Sequence, residues 1–228
     1  MEKTKLILLL KSLDKGEMDR LGSFLASEYF NTDEEVRRLF GLLQDFHPHF
    51  SDPTLNKKAV FENLYPGRAY HDKSLRYLMS NLNKLAEHFL ALQKIEQQPR
   101  RRQLALLEEL SRRGLDKSYR QIDRRLGKDL QKEQGSGGDL FLARYRWAEV
   151  KEQHFERQRL RRFDENIQNQ AAQLDRFYFL QRLRLSCAML DRQRILQAEY
   201  QLTLTADWIR HLEAQDFFGE PVIRLYYI

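Results

Sequence analysis

Apolar residues recur at steps of three and four along most of the chain, the spacing that lines one face of a helix. The clearest run is Leu75, Leu78, Leu82, Leu85, Phe89 and Leu92. Pro66-Gly67 precedes it as a turn and Pro99 closes it, so the pattern predicts a helix ending near Gln98. The Asp72 carboxylate is placed to accept from the N–H groups of its first turn. Four shorter helices are predicted before it. Thr4 to Leu13 is short and strongly apolar. Asp14 and Glu17 form a capping box that opens a helix with Met18, Leu21, Phe24 and Leu25 inward. Thr32 and Glu35 repeat that arrangement ahead of Val36, Leu39, Phe40, Leu43 and Phe46, and His47-Pro48 ends the third helix. Beyond a loop at Ser51-Asp52-Pro53, the stretch Asn56 to Leu64 turns Val60, Phe61 and Leu64 inward.

The second half predicts longer elements. Arg100 to Arg113 directs Leu104, Leu107 and Leu110 inward, with Gly114 where a capping glycine belongs. Asp116 to Gln134 is very polar, and its narrow stripe of Tyr119, Ile122, Leu126 and Leu130 suits an edge helix. Gly135-Ser136-Gly137-Gly138 has the composition of a flexible loop. Asp139 to about Arg162 carries Leu140, Tyr145, Trp147, Val150 and Phe155. Glu165 to Tyr200 carries Leu174, Phe177, Tyr178, Leu180, Leu183, Leu190, Ile195 and Leu196. Thr205 is placed to cap a helix through Ala214, and Pro221 to start a last one rich in apolar and aromatic residues (Val222, Ile223, Leu225, Tyr226, Tyr227). Such an end either packs back on the preceding helix or belongs to a longer chain. The expected organisation is a five-helix bundle over 1–98 and an array of long antiparallel helices over 99–228. The array is α-solenoid or TPR-like, without the strict period of about 34 residues of a tetratricopeptide.

Composition narrows the class. Only 10 Gly and 5 Pro interrupt the chain, which favours long helices over many short strands. The longest apolar run, Leu6 to Leu10, falls far short of the roughly 20 residues a membrane span needs, and no cleavage-site pattern follows it. No membrane partner is expected, and the expected compartment is cytoplasmic. Cys187 has no second cysteine to pair with, and with Leu180, Leu183 and Leu190 on its side it reads as a buried structural thiol.

The net charge of +6 is unevenly spread. Residues 1–98 hold 14 basic and 14 acidic side chains, residues 99–162 hold 18 and 10, and the remainder hold 7 and 9. The basic segment contains Arg100, Arg101, Arg102, Arg112, Arg113, Arg124, Arg125, Arg157, Arg159, Arg161 and Arg162, a candidate patch for a nucleic-acid backbone or an acidic partner. Interleaved acids offer internal partners, such as Asp116 for Arg120.

Recognisable catalytic signals are missing. His47-Pro48-His49 has no Cys, His or carboxylate at metal-ligand spacing and reads as a solvated loop. No glycine-rich phosphate loop or nucleophile elbow is present, and the Gly135 to Gly138 tract lacks the Lys-Ser/Thr that would make it one. The expectation is a protein that is not an enzyme, with no cofactor and no metal, acting as a scaffold or adapter for a protein partner.

Two resemblances sharpen this. The order Leu64-Tyr65-Pro66, Arg68, then Leu75-Arg76, Ser80, Leu82 and Leu85 resembles the turn and recognition helix of winged-helix bacterial transcriptional activators. Such activators also place a helical-repeat domain after the DNA-binding one. The resemblance implies DNA contact by Lys73, Arg76, Tyr77, Ser80 and Lys84, types that reach phosphates and base edges. It covers residues 64–85 of a segment that is electrically neutral overall. Residues 1–98 as a whole are similar to a group of uncharacterised bacterial all-helical proteins, through Tyr29-Phe30-Asn31, Phe46-His47-Pro48 and the Y-P-G-R-A-Y-H-D-K-S-L-R turn. That likeness implies a fold and a bacterial cytoplasmic setting, and no activity.

Overall fold

A computed structural model describes residues 1–133, 137–158, 165–196, 199–201, 210 and 214. Its described residues form nine α-helices and no strand. The chain divides into two compact units, Met1–Gln97 and Gln98–Ile228.

In the first unit, α1 (Lys5–Lys11), α2 (Lys15–Ala26), α3 (Glu34–Gln44), α4 (Lys57–Leu64) and α5 (Asp72–Glu96) share one core. Helix α5 is its centre: α1, α2, α3 and α4 all pack on it. Its Leu75, Leu78, Met79, Leu82, Ala86 and Phe89 are buried, as the three-and-four spacing requires. The Asp14–Glu17 capping box is formed in both directions. Two caps lie one residue from their expected places. Helix α3 is capped by Asp33, whose Oδ1 accepts from the N–H groups of Glu35 and Val36, and not by Thr32. Helix α5 is capped by His71, whose Nδ1 accepts from Ser74 N–H, and not by Asp72. Asp72 is occupied elsewhere: it accepts from Lys57 Nζ at 3.0 Å, Tyr70 Oη at 2.8 Å and Arg76 Nε at 2.8 Å. Helix α5 ends at Glu96, two residues before the expected Gln98.

The Tyr29-Phe30-Asn31 motif has a structural basis. Asn31 is buried, donates to the carbonyls of Leu25 and Asp33, and accepts from Asp33 N–H, so both ends of its amide are satisfied. It thereby fastens the end of α2 to the start of α3. His47 is not simply a solvated loop residue, because its Nε2 lies 2.8 Å from the Leu13 carbonyl and its ring meets Phe50 edge-on. His49 is exposed.

In the second unit, α6 (Pro99–Arg112) packs on α7 (Asp116–Lys132) and α8 (Gly138–Arg157), and α8 packs on α9 (Asn166–Leu196). Gly114, at φ 69°, ends α6 with paired bonds from Gly114 N–H to Ser111 O and from Leu115 N–H to Leu110 O. Helix α7 presents Tyr119, Leu126 and Leu130 to the core, and Gly127 lets the Trp147 ring of α8 lie against its backbone. The Trp147 indole N–H donates to Asp123 at 2.6 Å, and Arg144 donates to the Leu130 carbonyl near the end of α7. Gly138, expected in the loop, is instead the first residue of α8, with Gly137 as its N-cap. It is buried beside the Gln181 amide of α9, in space that a side chain would fill. Helix α8, expected to run to about Arg162, closes at Arg157 with Gln158 as its C-cap. Of the predicted helix opening at Thr205 only Arg210 and Ala214, both helical, are among the described residues, and the one opening at Pro221 falls outside them.

Candidate functional site

Helix α5 turns its leucines into the core, so the intervening positions face out. Lys73, Arg76, Tyr77, Ser80 and Lys84 are all exposed and follow one another along that outer face. Arg76 is bound to Asp72, and Glu87 lies one turn beyond Asn83, accepting from its amide at 2.7 Å. The face therefore carries its cations among local acids. Among the described residues no strand follows α5 to serve as a wing; α6 begins at Pro99.

A cleft of about 570 Å³ opens beside the first turns of α5, lined among others by Glu35, Phe61, Tyr65, Arg68, Lys73 and Tyr77. Tyr65 donates its hydroxyl to Glu35 at 2.5 Å, while burial and that bond push the phenol up to about 12. It stays protonated at neutral pH. Arg68 lies over the Tyr65 ring at 5.4 Å. The charged lining is balanced, with Arg68 and Lys73 against Asp33 and Glu35.

Several arginines of the arginine-rich segment are engaged within the chain. Arg100 pairs with Glu133. Arg112 and Arg113 share Glu109, whose carboxyl they hold down at about 2. Arg157 donates to Ser111 Oγ at 3.0 Å. Arg101 and Arg102 are exposed at one end of α6, about 15–20 Å along the helix from Arg112 and Arg113. Arg124 and Arg125 are exposed on α7. Asp116, expected to pair with Arg120, instead has its carboxylate 3.9 Å from His154 Nε2. Arg159, Arg161 and Arg162 lie outside the described residues.

One polar cluster had no signal in the sequence. Ser111 Oγ of α6 is 3.0 Å from His154 Nδ1 of α8, and Tyr119 of α7 stacks on the imidazole at 3.7 Å. Burial pushes the His154 pKa down, partly opposed by Asp116. Arg157 also donates to Ser111 Oγ, the Gln158 amide nitrogen lies 2.9 Å from His154 Nε2, and the Asp116 carboxylate stands 3.9 Å from that same nitrogen. Serine, histidine and aspartate thus lie in a row, but Ser111 is buried at 5% exposure among three helices. The arrangement ties α6 and α7 to α8. Among the described residues no group of His, Cys, Asp and Glu is placed to hold a metal ion.

Helix α9 has two apolar faces. Phe179, Leu180 and Leu183 are buried, Leu180 completely. Ile167, Leu174, Tyr178 and Leu185 follow steps of seven, four and seven, which at 100° per residue places them within about 20° of one line. That line lies nearly opposite the buried face, and its members are exposed: Ile167 by 62%, Leu174 by 45% and Leu185 by 50%. Ile195 and Leu196 are exposed near its far end. Cys187 is half-buried rather than enclosed, with Leu190 exposed one turn on. Ile167 and Leu185 are not in the apolar set expected of this helix from its sequence. The seven-four-seven spacing was the signal for them.

No helix among the described residues is long and apolar enough to cross a membrane. No protein-family model, curated protein or solved structure matches the chain.

Proposed function

We propose that the protein is a non-catalytic helical scaffold or adapter that docks a protein partner on the outer face of α9. The observation that carries this is the exposed apolar line through Ile167, Leu174, Tyr178 and Leu185, opposite the residues α9 uses for its own core. An apolar stripe of this length on a helix is the form that a partner helix recognises through i, i+3, i+4 and i+7 anchors. The serial packing of α6 on α7 and α8, and of α8 on α9, supports an α-solenoid, TPR-like array following an N-terminal five-helix bundle. A photo-reactive side chain in place of Leu185 or Ile167 is expected to cross-link to protein in cells, while one at Lys84 does not. No adduct at Leu185, or equal adducts at all three positions, contradicts the assignment.

A second reading has its own observation. The exposure of Lys73, Arg76, Tyr77, Ser80 and Lys84 along one face of α5 supports sequence-specific DNA binding by that helix. The neutral first segment offers little of the basic footprint such binding uses, which ranks it second. It predicts a mobility shift at low salt that Arg76→Ala and Lys84→Ala each weaken. Unretarded DNA disposes of it. Non-specific nucleic-acid binding by residues 99–162 is less favoured still, because Arg100, Arg112, Arg113 and Arg157 are engaged within the chain.

A further inference from the structure

The outer line of α9 is its own complement, and we propose that its occupant is a second copy of this chain, docked α9 to α9 in antiparallel. The inference rests on the docking reading above and names its partner.

Alternating steps of four and three from Ile167 pass through Ala171, Leu174, Tyr178, Gln181, Leu185, Ala188, Arg192 and Ile195. This is the a/d pattern of a two-stranded helix pair, sustained for roughly 40 Å. All of these side chains are exposed except Gln181, which is half-buried and whose amide turns back toward Gly138 of α8. An antiparallel two-fold axis passing between Phe179 and Leu180 sets Leu174 against Leu185 of the second copy, and Ala171 against Ala188. Large residues meet large and small meet small, twice over. Tyr178 falls on the aliphatic stem of Gln181. Ile167 meets the stem of Arg192, whose guanidinium remains at the edge in water. On the flank, Asp175 faces Arg182 of the second copy, again twice. A parallel pair instead stacks Arg192 on Arg192 inside the seam and loses the facing of Asp175 with Arg182. An isologous two-fold contact requires this self-matching, whereas an unrelated helix as partner gives no reason for it.

Sedimentation equilibrium of the full chain tests the pairing. The wild type is expected at twice 27.4 kDa, and Leu185→Glu and Leu174→Glu each at the monomer mass. Both changes fall on exposed side chains, so circular dichroism should stay helical. In a Cys187→Ser background, Ala171→Cys combined with Ala188→Cys is expected to give a covalent dimer on oxidation, while each cysteine alone gives none. Cross-linking by the single variants signals a parallel pair and overturns the register. A wild type that stays monomeric at high micromolar concentration overturns the proposal itself, and anilinonaphthalene sulfonate then tells which reading has failed. Dye bound by that monomer and lost on Leu185→Glu leaves the face open to a different protein. No bound dye means that the chain covers the face itself, and the docking reading falls as well.

Discussion

At the scale of single residues, His154 gives the clearest handle on solution behaviour. Its imidazole is enclosed by Tyr119 and Ser111, with Asp116, Asp123, Arg120 and Arg157 as the charged groups acting on it. Burial is the largest influence and holds its pKa below the ordinary 6.5. The unfolded chain therefore takes up a proton at this site before the folded one does. The contribution of this site to stability is constant above about 6.5, declines as the pH falls through the interval between the unfolded and folded pKa values, and levels off below it. The carboxylates act in another window. Glu109 is held at about 2, so its contribution is lost only as the pH falls below about 4.5. Urea denaturation at pH 7.5 and pH 5 should thus show a lower midpoint at pH 5 for the wild type, and a smaller difference for His154→Gln. An equal pH effect in the variant contradicts this assignment.

At the scale of elements, the helices were legible because their core-facing residues keep the helical period, and α2 to α5 bury most of the apolar sets that their spacing predicts, with Phe24, Phe46 and Leu85 partly buried at the margin and Leu92 outside that core. Caps were legible only to within a residue. Thr32 and Asp33 are both competent acceptors, as are His71 and Asp72, and tertiary partners decide between them. Asn31 fixes the backbone at Asp33, and Lys57 and Tyr70 draw Asp72 away from the α5 amides. Ser111 and His154 stand 43 positions apart, so nothing local announces their contact. Helix α9 was the hardest to read. Apolar residues lie on two sides of it, and periodicity does not say which side α8 covers. Only the packing shows that Leu183 is enclosed while Leu185, two residues on, faces solvent.

At the scale of the molecule, each of the two units has its own core, one gathered on α5 and the other formed by α6, α7 and α8. The division of labour within α9 is what turns this architecture into a functional proposal. One face belongs to the protein's own fold, and the other is apolar and exposed. Chemical denaturation in dilute solution, where only the monomer is present, separates the faces most directly. Leu183→Ala should cost about 2–5 kcal/mol, as for other enclosed leucines. Leu185→Ala should leave stability unchanged to within about 0.5 kcal/mol. Equal losses at the two positions would place Leu185 in the protein's own core and contradict the account.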